Sequence, residues 1–326
     1  MRALVTGGAG FIGSNLALEL EAKGHDVVVL DDFSTGRFEN LRGFAGDLVA
    51  ADVAKAADWI YRVGPVDAVF HQAAITDTTV TDQRRMLEVN VEGFRNVLDF
   101  ASETGAQRVV YASSAGVYGA GPTPMKESQK PEPLNVYGFS KRVMERVASD
   151  FQRDNPGLRV IGLRYFNVYG PRESFKKAAA SMIWQLSGQI IAGKRPRVFK
   201  WGEQFRDFIY VKDVVAANLR GLEAEAGGVF NVCTGKPATF NKIIETLHAV
   251  LGTRLETEYF ENPYSFYQNE TLGDPSGASS VLGFTARYSI EEGIRDYLSG
   301  FKPSGHDKTV TLKPEQIREA LKAAHQ

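Results

Sequence analysis

Short apolar runs alternate with longer segments whose apolar residues recur every three or four positions along the first half of the chain. The short runs have the length of buried strands, and the longer segments have the period of amphipathic helices. We expect strands at 2–6, 27–30, 46–50, 66–71, 108–112 and 159–163, and helices at 82–104 and 136–154. This alternation predicts an α/β fold, a Rossmann-type doubly wound parallel sheet with right-handed crossovers.

The regular alternation ends near residue 164, and loops rich in Asn, Tyr and Gly follow. We expect helices at 178–191, 213–224 and 239–251 and a strand at 205–211. The predicted domains are a Rossmann domain at 1–164 with returning segments from the second half, a smaller α/β substrate-binding domain at 165–301, and a C-terminal helical tail at 302–326 with a helix at 314–324.

Composition narrows the classes of function. The 326 residues are 43% hydrophobic and 24% charged, and a net charge of −1 gives no footprint for nucleic acid or an anionic membrane. Cys233 is the single cysteine, which excludes an intrachain disulfide framework and fits a reducing compartment. No apolar run approaches the roughly 20 residues of a membrane span. With a first strand at about residue 2 and no room for a signal peptide, we expect a soluble cytoplasmic protein.

The turn after the first strand, Thr6-Gly7-Gly8-Ala9-Gly10-Phe11-Ile12-Gly13, carries the first chemical signal. Glycines at three-residue spacing let a pyrophosphate approach the backbone, and the N-terminus of the next helix offers free N–H groups to it. Asp31, 18 residues after Gly13, ends the next apolar run, where a carboxylate can accept bonds from ribose hydroxyls. A glycine turn without a ligand is the alternative, but this combination predicts a dinucleotide site.

The cofactor is expected to be NAD, because the acid at position 31 repels a 2′-phosphate, whereas Arg37 keeps NADP open as an alternative. Asp52 and Val53, after the third strand, are expected near the adenine amino group. Ala73 follows the fourth strand, where a small residue lets the cofactor approach. The predicted cofactor-binding residues are Gly7, Gly10, Phe11, Ile12, Gly13, Asp31, Asp32, Asp52, Val53, Ala73 and Asn90, with Tyr137 and Lys141 discussed next. For Asn90 we prefer a buried amide bonding to backbone over a catalytic role.

Tyr137 and Lys141 lie one helical turn apart and therefore share a face. A lysine cation beside a phenol lowers the pKa of that phenol from about 10 toward neutrality, which makes Tyr137 a usable general base. Lys141 can also bind the hydroxyls of the nicotinamide ribose. Ser114, at the end of the fifth strand, is expected to bond the reacting oxygen, with Ser113 as the alternative.

Together, TGGAGFIG, SSAGVYG and YGFSK resemble the extended short-chain dehydrogenase/reductase family of nucleotide-sugar epimerases and dehydratases over residues 1–300. The resemblance implies that Ser114, Tyr137 and Lys141 form a catalytic triad, that the cofactor stays bound during turnover, and that the protein forms a homo-oligomer. Dehydratases of the family carry an Asp-Glu pair after the serine. Ala115-Gly116 stands there in this chain, so we expect an epimerase, an isomerase, with no group to eliminate water.

The second half, through RYFNVYGPRE and FRDFIYV, is similar to ADP-glycero-manno-heptose 6-epimerases. That similarity implies a second acid/base at Lys176, with Lys177 as the alternative. Arg206 is expected to bind the diphosphate of a nucleotide-diphosphate sugar, unless it pairs with Asp207. Ser114 is also expected to bind the substrate. Asn167 and Tyr267 are weaker candidates for substrate binding. Phe33-Ser34-Thr35-Gly36 resembles a loop of UDP-hexose 4-epimerases, which are the alternative function; a catalytically silent NAD-binding scaffold is an alternative of another class.

Overall fold

The computed structural model of the protein describes residues 1–77, 82–263 and 270–299, and most strands of its main sheet are buried apolar runs. The strands in chain order are β1 (Arg2–Thr6), β2 (Asp26–Asp31), β3 (Asp47–Ala50), β4 (Ala68–His71), β5 (Arg108–Ser114), β6 (Arg159–Tyr165), β7 (Val168–Tyr169), β8 (Arg197–Phe199), β9 (Phe205–Arg206), β10 (Ile209–Tyr210), β11 (Gly228–Val232), β12 (Ala238–Thr239), β13 (Glu258–Phe260) and β14 (Glu270–Thr271). Seven of them form one parallel sheet in the order β11-β6-β5-β4-β1-β2-β3. The strand order reverses between β1 and β4, the position at which doubly wound sheets bind ligands.

Helices cover both faces of this sheet, which confirms the predicted fold class. They are α1 (Phe11–Ala22), α2 (Ile60–Val63), α3 (Gln83–Leu87), α4 (Gly93–Glu103), α5 (Val136–Asp154), α6 (Met182–Ile191), α7 (Val211–Glu223), α8 (Phe240–Leu251), α9 (Ser276–Leu282) and α10 (Ile290–Tyr297). Apolar residues of α1, α7 and α9 form one core with the sheet. Those of α4 and α5 form a second core on the opposite face.

The long helix expected at 82–104 is interrupted. A π-helical segment, Glu88–Glu92, separates α3 from α4 and contains Asn90. Gly93 comes directly after this segment and packs closely against Val53. A Cβ at this position would lie 2.7 Å from Val53 Cγ1. Periodicity alone does not reveal such an interruption, since an extra residue in one turn barely changes the apolar pattern.

The second half contributes β11 to the main sheet and otherwise builds small sheets around a third core, which includes residues of α6, α8 and α10. The single strand expected at 205–211 is wrong, because β9 and β10 belong to different sheets. Between them Asp207 is fully buried and accepts hydrogen bonds from Thr234, Gly235 and Gly273, which redirects the chain. Helix α6 begins later than expected because Ser181 caps it, accepting from the Trp184 amide.

The division of the chain at residue 164 stays a prediction. The helix expected at 314–324, the rest of the tail at 302–326 and Tyr267 lie outside the described residues.

Candidate active site

The glycine turn between β1 and α1 forms a narrow backbone cradle. A Cβ on Gly7 would lie 2.6 Å from the Ala73 nitrogen, and one on Gly13 would lie 2.1 Å from the Gly7 oxygen. Gly7 has φ +65°, a conformation that favours glycine. No side chain caps the α1 N-terminus at Gly10, so the amides of Phe11, Ile12 and Gly13 can bind an anion there. These features fit the pyrophosphate of a dinucleotide.

Asp31 ends β2 beside this turn and is 7% exposed. Its carboxylate accepts hydrogen bonds from the Ala9 amide at 2.9 Å and the Phe33 amide at 2.8 Å. Burial raises the pKa of Asp31, and these two amides lower it. The acid therefore orders the glycine turn itself, and its remaining lone pairs are available for ribose hydroxyls. Asp32 is exposed and accepts from Ser34.

The other predicted cofactor residues have distinct local partners. Asp52 is paired with Arg85, which lowers its pKa against the effect of burial. The side chain of Val53 lies in the hydrophobic core, so this residue can reach a cofactor only through its backbone. Asn90 is fully buried, with its amide bonded to the Ile75 backbone and to Ser140, which supports the backbone-bonding interpretation over direct cofactor contact.

We predict that Gly13→Ala weakens NAD binding by roughly 100-fold, because the added Cβ cannot fit against the Gly7 oxygen and displaces about two anion-binding amides worth about 3 kcal/mol. Calorimetric titration with NAD measures this. Gly157→Ala is the matched control, since a Cβ there meets nothing within 4 Å. Equal affinity of both variants would contradict the assignment of the cradle.

Helix α5 brings the predicted triad together. Asn135 caps the helix by accepting from the Gly138 amide at 2.8 Å. Gly138 packs on the turn after β5, where a Cβ would lie 2.5 Å from the Gly116 oxygen. The close approach places Tyr137 beside Ser114. Lys141 is 1% exposed, donates to the Ala112 oxygen at 2.8 Å and lies 5.8 Å from the centre of the Tyr137 ring.

The ionisation of the triad differs from the expectation. Burial raises the pKa of Tyr137, and the neighbouring Ser114 only partly opposes this. Burial also lowers the pKa of Lys141 to about 7, although the charge of Glu145 raises it. The prediction that Lys141 lowers the pKa of Tyr137 is therefore wrong for the protein without a bound cofactor. Lys141 loses its proton near pH 7, and with it the charge that would stabilise a phenolate.

A buried ionic network lies beneath the triad. Arg164 of β6 binds Glu145 of α5 through two nitrogens, at 2.8 and 2.7 Å. Ser113 donates to the same carboxylate at 2.5 Å and is 2% exposed. Arg164 also donates to the hydroxyl of Tyr118 at 2.7 Å. Ser113 therefore faces the network, and Ser114 is the serine at Tyr137.

Two of the predicted substrate residues, Asn167 and Arg206, line a neighbouring cleft of about 670 Å³ together with Lys176. Asn167 follows β6, whose Tyr165 pairs with Ser114 across the sheet, so the cleft and the triad lie at one sheet edge. Lys176 is half-buried, with its amine 5.6 Å from the Phe11 ring centre, and burial lowers its pKa. Lys177 is exposed. Arg206 also lines the cleft, and the alternative pairing with Asp207 is not observed because that carboxylate binds Thr234, Gly235 and Gly273.

Two buried acids near these residues were not predicted as functional, Glu145 and Glu173. Glu145 follows Lys141 by four residues on one helix, a spacing that signals contact with it. Glu173 lies in the PRE motif three residues before Lys176, but nothing in the sequence shows that it is fully buried.

The fold and this geometry define a class: a Rossmann protein of the extended short-chain dehydrogenase/reductase type. The NAD dependent epimerase/dehydratase family matches residues 3–233, and the chain belongs to this family. The predicted family and enzyme class, an NAD-dependent epimerase, are thereby confirmed.

Solved structures similar to the chain include epimerases with different substrates in their names. The Helicobacter pylori ADP-L-glycero-D-manno-heptose-6-epimerase is 40% identical, with a TM-score of 0.85, over 91% of this chain and 95% of that one. The Thermotoga maritima UDP-glucose 4-epimerase, solved with UDP-glucose, is 31% identical, with a TM-score of 0.84, over 90% and 96%. The Thermus thermophilus UDP-glucose 4-epimerase, in complex with NAD, is 29% identical, with a TM-score of 0.80, over 90% and 97%.

Two features are absent from residues 1–77, 82–263 and 270–299. Within these ranges no helix is long and apolar enough to cross a membrane. The same ranges contain no group of three His, Cys, Asp or Glu side chains that could hold a metal ion.

Proposed function

We propose that the protein is an ADP-glycero-manno-heptose 6-epimerase. It would convert its nucleotide-sugar substrate by transient oxidation of a secondary alcohol to a ketone and re-reduction on the opposite face. The observation that carries the proposal is the position of Lys176, a half-buried amine between the α1 N-terminus and the cleft that Asn167 and Arg206 also line. The 40% identity to the Helicobacter pylori enzyme supports the same substrate.

In the proposed 6-epimerase reaction, each orientation of the sugar uses its own proton partner. Tyr137, which lies beside Ser114, is suited to take or give the alcohol proton in one orientation of the sugar. Lys176 is suited to the same role in the other orientation, because burial lowers the pKa of its amine toward the range in which it exchanges protons. NAD supplies hydride acceptance and return when bound. Ser114 and Lys141 hold the reacting oxygen and the nicotinamide ribose.

The remainder of the cleft suits the nucleotide. Arg206 is suited to bind a diphosphate because a guanidinium can donate two parallel hydrogen bonds to phosphate. Aromatic and amide side chains are suited to the nucleobase of the substrate. Aromatic rings can stack on the nucleobase, and amides can form hydrogen bonds with its edges. These residues are Gln185, Gln189, Gln204, Phe199 and Phe260.

A UDP-hexose 4-epimerase is the second candidate. The loop at Phe33-Ser34-Thr35-Gly36 and the 31% identity to the Thermotoga maritima enzyme favour it. This function does not need Lys176 as a base. A silent NAD-binding scaffold is the third candidate, but a binder has no use for a serine beside a half-buried phenol.

The test is an assay of the purified protein on a panel of nucleotide sugars that includes ADP-D-glycero-D-manno-heptose and UDP-glucose, followed by NMR without added cofactor. We expect inversion at C6 of the heptose. Inversion at C4 of the hexose would overturn the heptose assignment, and tight NAD binding without turnover would favour the scaffold. The homo-oligomer and the cytoplasmic location stay predictions.

A further inference from the structure

Lys176 lies in a strained loop. The 3₁₀ segment Ser174–Ala179 connects β7 to α6, and two residues that are not glycine adopt positive φ around it. Arg172 has φ +72° and Lys177 has φ +51°. Such conformations cost free energy and persist only where surrounding contacts enforce them, which is typical of functional loops.

Glu173 supplies those contacts. It is fully buried, and one carboxylate oxygen accepts from the Gly170 amide at 3.1 Å and the Ser181 hydroxyl at 2.9 Å. The other oxygen accepts from the Ser181 amide at 2.6 Å. The backbone oxygen of Glu173 accepts from the Lys176 amide at 3.0 Å. One side chain thus joins the two ends of the loop that carries Lys176.

We propose that Glu173 is the positioning residue for Lys176: its carboxylate closes the loop so that the amine faces the cleft, and it supplies the negative charge that acts on that amine. This inference rests on the proposed acid/base role of Lys176. Placing a buried anion here is costly unless it is bonded and paired. The three donors satisfy its bonds, and Lys176 is a nearby cation.

Glu173 is the charged neighbour that opposes the effect of burial on the pKa of Lys176. The α1 side presents the Phe11 ring, which is not ionisable. From α10, Tyr297 lies beside Glu173, whose charge together with burial raises the pKa of this phenol, so it stays neutral. Arg197 and Arg206 line the same cleft. Both are cations, so they disfavour a further positive charge on Lys176. Glu173 raises the pKa of Lys176 against the lowering caused by burial.

The experiment is acetylation of Lys176 with acetic anhydride as a function of pH, read by mass spectrometry in the protein and in Glu173→Gln. Because only the neutral amine reacts, the midpoint reports protonation without requiring turnover. We expect the Lys176 midpoint to move to lower pH in the variant, while exposed Lys177 does not change. Turnover at neutral pH should fall by roughly 10-fold and recover partly on acidification. An unchanged Lys176 midpoint would overturn the charge role.

Glu173→Asp tests closure separately and serves if Glu173→Gln does not fold. It keeps the charge but draws the carboxylate back from Ser181. We expect faster trypsin cleavage after Lys176 and Lys177 and lower turnover. Cleavage and turnover equal to those of the unsubstituted protein would overturn the closure role. If the midpoint and cleavage change as expected but no nucleotide sugar is turned over, the positioning role stands and the proposed function fails.

Discussion

Tyr137→Phe is expected to reduce epimerisation by roughly 10²–10⁴-fold, the range for loss of a positioned acid/base. The substitution removes only the hydroxyl of a side chain that lies beside Ser114. Ser114 stays in place because its oxygen accepts from the Gly116 amide at 3.1 Å. The cofactor cradle at Gly7 and Gly13 is untouched, so NAD affinity should change little. Turnover by NMR and NAD titration by calorimetry measure the two quantities on the same samples.

Tyr61→Phe is the matched control, because the same atom is removed from a side chain that is 92% exposed. It should turn over substrate like the unsubstituted protein. Substantial epimerisation by Tyr137→Phe would remove this phenol from the mechanism. Loss of NAD binding in the same variant would instead make Tyr137 a residue that holds the cofactor.

The parts of the fold that could be predicted from sequence depend on neighbours along the chain. The β1–turn–α1 unit combines an apolar run, glycines that permit close backbone approach, and a helix start, all within residues 2–22. Helix α5 has the predicted limits because Asn135 caps it and its apolar positions repeat without interruption. Tyr137 and Lys141 share a face for the same local reason.

The remainder depends on contacts between distant segments. Whether Ser113 or Ser114 faces Tyr137 is decided by Glu145, 32 residues after Ser113. The splitting of the strand at 205–211 depends on donors from Thr234, Gly235 and Gly273. The pKa values of Tyr137 and Lys141 depend on burial, and the four-residue spacing between them does not predict how buried they are. The charges and the backbone strain at the site could therefore be recognised only in the structure.

Lys176→Met is expected to reduce epimerisation of the heptose by roughly 10²–10⁴-fold if the amine is the second acid/base. Methionine matches the lysine side chain as far as Cε and can keep an apolar contact with Phe11, and removing a half-buried amine takes away a desolvation cost. Folding should therefore be preserved, and a thermal unfolding curve checks this. The rate is measured in both directions by NMR.

The matched control is Lys177→Met, the same change at the exposed neighbour, which should retain turnover. The pair of variants also discriminates between the candidate functions, because inversion at C4 of a hexose needs a proton partner at Tyr137 alone. A Lys176→Met protein that epimerises ADP-heptose normally would contradict the two-base mechanism. A Lys176→Met protein that epimerises UDP-glucose normally would point to the 4-epimerase, since the amine would then contact substrate without exchanging a proton.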